Sequence, residues 1–261
     1  MISFTTAELN AWIVAFFFPL ARVLALMAAA PPFNNKALTR RVRIVLAIAI
    51  TLAIAPALPK IPPIDPASGT GLWILAEQLL IGYAMGFALR VTFAAVDMAG
   101  NLISMQMGLG FATSFDPQSA GQTPVLSEFL SLLAILVFMS INGHLLVLAT
   151  LTQSFTVLPI AQALPGAGSW LNIANSGMVV FSSGLMLALP IIVALLITNI
   201  ALGVLTRAAP QLNLFAVGFP ITLSLGFGML IIGLSYMAGP LQALFEFGMR
   251  SMLGYFVPAG A

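Results

Sequence analysis

Cysteine is absent from the 261-residue chain, histidine occurs once, at His144, and charge is scarce: 9 Lys plus Arg and 7 Asp plus Glu, 6 % of residues. No cysteine and a single histidine exclude disulfides, thiolate catalysis, iron–sulfur clusters and zinc-finger sites. A soluble domain carries roughly a quarter charged residues. Here 61 % of residues are apolar and the mean hydropathy is +1.10, too little polar surface to coat a soluble globule. The composition is that of an integral membrane protein. The small basic excess, +2 with a pI near 9.4, fits cations that orient membrane segments better than a nucleic-acid footprint. The first ten residues contain Glu8 and no Lys or Arg, so a cleavable signal peptide is not expected and the first apolar stretch should stay in the mature protein.

What the chain does have is long apolar runs. A spanning helix needs about 20 apolar residues, and the sequence holds about six such stretches. They run at about Leu9 to Ala30, Val42 to Leu58, Leu72 to Val96, Val125 to Leu158, Ser176 to Thr206 and Leu214 to Met237. The first stops at Pro31-Pro32 and the second in the Pro56, Pro59, Pro62-Pro63 region, where proline removes a donor and crowds the preceding turn. Pro19, Pro190 and the Gly226/Gly228/Gly233 set predict kinks and close helix approach, either to neighbouring subunits or within the chain. The expected fold is an all-α integral membrane protein, a single membrane domain over residues 1–261 with about six long kinked helices arranged as hairpins.

Lys36, Arg40, Arg41 and Arg43 crowd one short loop, which the positive-inside rule places in the cytoplasm. Alternation then puts the N-terminus, Lys60 and Asp65 outside, Arg90 and about Ala94 to Thr123 inside, Pro159 to Asn175 outside, and Arg207 inside. After Pro240 the tail reads as a short amphipathic surface helix. Gln242, Glu246 and Arg250 lie on one face, and Leu241, Leu244, Phe245, Gly248 and Met252 on the other.

Few residues could carry chemistry. Arg22 lies midway along the first apolar helix, where a charge is costly unless paired or wetted. It reads either as the lining cation of an aqueous path or as a structural ion pair with Glu77 or with a neighbouring subunit's carboxylate. Arg90 and Asp97, seven apart, share a helix face and can form a pair or small network. His144, within Asn142-Gly143-His144, reads as a group satisfied at a helix break rather than a proton relay. Arg207, before Pro210-Gln211-Leu212-Asn213, reads as a helix cap or an anchor for a neighbour. A Ser-His-Asp arrangement would have to use His144, no Gly-x-Ser-x-Gly elbow surrounds any serine, and no phosphate-cradling Gly-x-x-x-x-Gly-Lys-Ser/Thr occurs. No enzymatic activity, catalytic residue, metal or cofactor is expected.

The most informative stretch is Met98 to Thr123, MAGNLISMQMGLGFATSFDPQSAGQT, interrupted by Gly100, Gly108, Gly110 and Gly121. Between the glycines lie Met105, Met107, Phe111 and Phe115, followed by the turn starter Asp116-Pro117 and Gln118. Backbone that leaves helix at membrane depth must be buried in protein or face a water-filled cavity. Two readings stand: a re-entrant or pore-inserted loop whose soft Met and bulky Phe side chains seal a lumen, or an ordinary cytoplasmic connection.

Three blocks, MQMGLGFATSFDPQSAGQTPVLSEF, INGHLLVLATLTQSFTVLP and LTRAAPQLNLFAVGFPI, in this order and spacing, resemble the FliR/SctT family of type III secretion export-gate subunits. The resemblance covers essentially the whole chain and looks flagellar. It implies an inner-membrane subunit of the flagellar basal body, assembled with FliP, FliQ and FlhB, that helps form and close the channel through which unfolded flagellar proteins leave the cytoplasm. It also implies a FliP-like part at about residues 1–170, with a plug loop near residues 106–122, and a FliQ-like hairpin with a C-terminal amphipathic helix at about 171–261. Such subunits form kinked hairpins in a helical assembly partly raised out of the bilayer, so the apolar stretches would be buried against FliP and FliQ. The alternatives are the equivalent subunit of a virulence injectisome and an ion-coupled secondary transporter using Glu77, Asp97 and His144.

Overall fold

The computed structural model describes residues 6–35, 38–59, 61–62, 64–110, 125–161, 166–209 and 214–256. Among these residues the regular structure is helical throughout: α1 Thr6–Ala29, α2 Arg40–Ile54 with a tight turn at Ala55–Ala57, α3 Gly69–Gln106, α4 Val125–Ser140, α5 Gly143–Val157, α6 Ala167–Asn175, α7 Gly177–Ala208 and α8 Leu214–Gly254. The protein is an all-α membrane protein.

Local chemistry sets the ends. Thr39 caps α2 by accepting from the Val42 N–H at 3.5 Å. Pro56 then forces the tight turn that ends the helix. Before α3, Asp65 Oδ1 accepts from the Ala67 N–H at 3.0 Å, and the Ser68 hydroxyl accepts from the Gly71 N–H at 3.1 Å. The first closes an Asx turn ahead of the helix, and the second caps α3 by satisfying a donor that a helix start leaves without an intrahelical partner.

Among the described residues four helical segments are long and apolar enough to cross a membrane, five if α4 and α5 count as one bent span, rather than the six expected from hydropathy. The second stretch falls out because α2 has 15 residues, about 22 Å against about 30 Å of hydrocarbon. The fourth is not continuous: α4 and α5 meet at 68°. Asn142, at φ 56° and ψ 31°, holds the bend in the left-handed region, which asparagine tolerates better than most residues.

The tail is also not a separate helix. α8 runs straight through Pro240, which costs the hydrogen bond to the Tyr236 carbonyl but is carried by a 41-residue element. The apolar face expected to lie on the bilayer is covered by the protein itself: Leu241, Leu244, Phe245, Met249 and Met252 are all buried.

The helices group into two compact units. The first comprises residues 1–91, 142–176 and 246–261. Its core contains Phe18, Leu26 and Met27 of α1, Met85 and Leu89 of α3, and Leu151 and Phe155 of α5. α1 and α3 approach so closely that a Cβ on Gly82 would collide with the Arg22 carbonyl, and one on Gly86 would lie 2.6 Å from the Leu26 carbonyl. Gly82-x-x-x-Gly86 is thus the small-residue seam that lets the backbones touch. The second unit comprises residues 92–141 and 177–245. Phe93, Phe138 and Phe245 meet there with ring centroids 5.0–5.8 Å apart, joining α3, α4 and α8 in edge-on and tilted geometry.

Candidate functional site

Two constructions stand out, one in each unit. In the second unit, the helix ends flanking residues 111–124 are pinned to each other. The Ser127 hydroxyl donates to the Asp97 carbonyl at 2.9 Å, and the Ser131 hydroxyl donates to the Asp97 carboxylate. Gly100 makes this possible, because any Cβ there would run into the Ser127 backbone. A Cβ on Gly184 of α7 would likewise meet the Ala95 carbonyl and the Met98 side chain at 2.9 Å.

Where α3 ends, Met105 and Met107 part company. Met107 is fully buried, and its side chain lies in the space that a Cβ on Gly226 of α8 would need. Met105 is 71 % exposed. Gly108 follows with φ 81°, a left-handed turn that suits glycine, and its N–H donates to the Met105 carbonyl at 3.0 Å. Gly110 is described, whereas Phe111, Phe115, Asp116, Pro117 and Gln118 lie outside the described residues.

In the first unit, Arg22 is fully buried and makes four hydrogen bonds. Nε donates to Gln78 Oε1 at 2.8 Å, one terminal nitrogen to the carbonyl and hydroxyl of Ser154 at 3.0 Å each, and the other to the Leu158 carbonyl at 2.8 Å. The guanidinium also lies 4.2 Å from the centre of the Phe155 ring. Ser154 and Leu158 belong to the last turn and C-cap of α5, so the cation sits at the negative end of a helix dipole, adding a second donor to the Ser154 carbonyl, which already accepts the Leu158 N–H at 2.8 Å, and supplying one to the Leu158 carbonyl. The ring face adds attraction for a desolvated cation.

The expected pairing of Arg22 with Glu77 is therefore replaced by neutral partners. Glu77 is itself buried, and no ion pair or hydrogen bond to its carboxylate occurs among the described residues. Neither Arg90 nor Asp97 forms an ion pair among the described residues: both are exposed, and the Asp97 carboxylate takes the Ser131 hydroxyl instead. His144 does stand at a helix break, but its Nδ1 is enclosed with no partner among the described residues, so the break does not satisfy it. Arg207 is exposed in the last turn of α7, a favourable place for a cation, while Pro210 and Asn213 lie outside the described residues. The tail pair forms as spaced, Glu246 to Arg250 at 3.7 Å, with the arginine 84 % exposed.

Sequence reasoning missed Gln78, Ser154, Ser127 and Ser131, because neutral polar residues in apolar helices carry no mark of their partners. The Gly82-x-x-x-Gly86 spacing was a readable signal for the α1–α3 contact. Nothing in either construction is arranged as a nucleophile with its base, and no cluster of metal-binding side chains occurs among the described residues.

Residues 13–248 match the family model described as bacterial export proteins, family 1. The chain is 46 % identical to the flagellar biosynthetic protein FliR of Pectobacterium carotovorum over 87 % of its length and 86 % of that protein's. It is 43 % identical to the flagellar biosynthetic protein FliR of Escherichia coli K12, covering 88 % of each chain. Similarity extends to the protein of that name in Bacillus subtilis, at 29 % identity over 91 % of this chain.

Proposed function

The chain belongs to family 1 of the bacterial export proteins, and from that premise we propose that it is a subunit of the flagellar type III protein export gate in the bacterial inner membrane. Its work there is to help form and close the channel for unfolded flagellar proteins and to nucleate gate assembly, without chemistry of its own. The observation that carries this reading is the 43–46 % identity to flagellar biosynthetic proteins across nearly nine-tenths of the chain. Its partners in this reading are FliP, FliQ and FlhB.

The structure supports the reading in two ways. In the spans of α7 and α8 only 22 % of the most apolar window is buried within the chain, against 56 % and 67 % for those of α1 and α3. Such faces suit contact with other subunits or lipid. They also fit a FliQ-like hairpin after about residue 170, following a FliP-like part. Further, the Asp97–Ser127–Ser131 clasp and the Met107 seat fix the positions from which a plug loop would emerge, with Met105, Met107, Gly108 and Gly110 at its start.

The test uses the absence of native cysteine. One cysteine is placed at Phe115 in assembled complexes, and crosslinking to a substrate stalled in export is measured, with a cysteine at Gln242 as control. A crosslink at Phe115 alone puts the loop on the protein path. None, with stalling verified, removes the plug role. Loss of motility with intact effector secretion in a deletion strain separates the flagellar reading from the injectisome one.

A further inference from the structure

We propose that the arginine end of α2 is a headgroup site for an anionic phospholipid, whose acyl chains lie along the exposed apolar face of the same helix. The inference needs only that the chain resides in a membrane and does not depend on its role in export.

α2 opens with Arg40, Arg41 and Arg43. The first two are exposed and the third is half-buried. None of the three forms an ion pair among the described residues, and the enclosed Nε of Arg43 has no hydrogen-bond partner. Three guanidinium groups within one helical turn repel each other, and the two exposed ones have no counter-charge among the described residues. A phosphate diester brought to this end offers charge and acceptors to the exposed Arg40 and Arg41, in the bidentate geometry that guanidinium groups favour, while Arg43, on the face of the buried Ala47 and Thr51, adds its charge from behind.

The rest of the helix matches the rest of a lipid. Val42, Val45, Leu46 and Leu52 are exposed, whereas Ala47 and Thr51 are the buried positions. Arg41 and Val45 are one turn apart, so the cation heads an apolar stripe that continues through Ala49 to Leu52. At 15 residues, α2 is about 22 Å long, too short to cross a bilayer but enough to line one leaflet of about 15 Å with a turn left at headgroup level. The cationic end and the unpaired arginines select an anionic lipid over a zwitterionic one.

The full-length chain in a nonionic detergent is titrated with dioleoylphosphatidylglycerol, with dioleoylphosphatidylcholine and with inorganic phosphate, and bound lipid is counted by native mass spectrometry. The expected result is half-saturation at a phosphatidylglycerol concentration at least about tenfold lower than for phosphatidylcholine, with no displacement by equimolar phosphate. Arg40→Gln/Arg41→Gln/Arg43→Gln should abolish the difference between the lipids. The matching triple Arg→Lys variant should retain it, which shows that charge was lost rather than fold. Equal binding of both lipids, displacement by equimolar phosphate, an undiminished preference in the Gln variant, or its loss in the Lys variant would each overturn the proposal.

Discussion

Arg22 Nε donates to Gln78 Oε1 at 2.8 Å, so a fully buried guanidinium is held by a neutral amide while the neighbouring carboxylate of Glu77 makes no ion pair among the described residues. The charge is balanced by the carbonyl end of α5 and by the face of Phe155. Replacing Arg22 with Leu would strand Gln78 Oε1 and the Leu158 carbonyl, whereas the Ser154 carbonyl keeps the Leu158 N–H. It should cost about 3 kcal/mol or more, whereas Glu77→Gln should stay within about 1 kcal/mol. Unfolding of the two variants in detergent decides between them: equal losses would mean that an Arg22–Glu77 ion pair exists after all.

The α1–α3 seam predicts a contrast among glycines. Gly82→Ala and Gly86→Ala drive a methyl into the α1 backbone and should cost about 1–3 kcal/mol each. Gly203→Ala, with nothing within 4 Å of the added carbon, should be neutral or stabilise by up to about 1 kcal/mol. Thermal melting of the three variants, side by side, reads this out.

At the α4–α5 bend, Asn142→Gly should leave stability nearly unchanged. Asn142→Val, forced to φ 56°, should lose about 1–2 kcal/mol. If valine is tolerated as well as glycine, the left-handed bend is not a feature of the native chain.

Met107 and Met105 differ by two positions and should differ in consequence. Met107→Ala empties a fully buried site against Gly226 and should cost about 2–5 kcal/mol. Met105→Ala, at a 71 % exposed position, should fall within about 0.5 kcal/mol. Denaturant midpoints of the two variants test the assignment.

If the plug reading holds, deletion of Thr113 to Gln118 leaves the export complex assembled but makes it leak small ions. Conductance of purified complexes in planar bilayers measures the leak directly. Wild-type conductance in an assembled deletion complex would remove the loop from the barrier.

The sequence by itself determined the class: so few charges among 61 % apolar residues leave only a membrane protein, and runs of this length in lipid must be helical because every backbone group needs an internal partner. Gly108, with Met105 and Met107, also marked the end of α3, since glycine there reports a left-handed backbone, whereas Gly100 lies inside α3 and makes room for Ser127. Asn142-Gly143 marked the helix break, but hydropathy could foresee neither the angle at which the run from Val125 to Leu158 bends there nor that α8 passes through Pro240. Each depends on whether packing elsewhere offsets a locally unfavourable backbone. Nor could it name the partners of buried charges. Arg22 announced that it needed one, but a carboxylate and a helix end satisfy that need equally well on paper. Only the tertiary structure brings the last turn of α5, Gln78 of α3 and Phe155 around Arg22, because such contacts join residues up to 136 positions apart, and sequence spacing carries no record of that proximity.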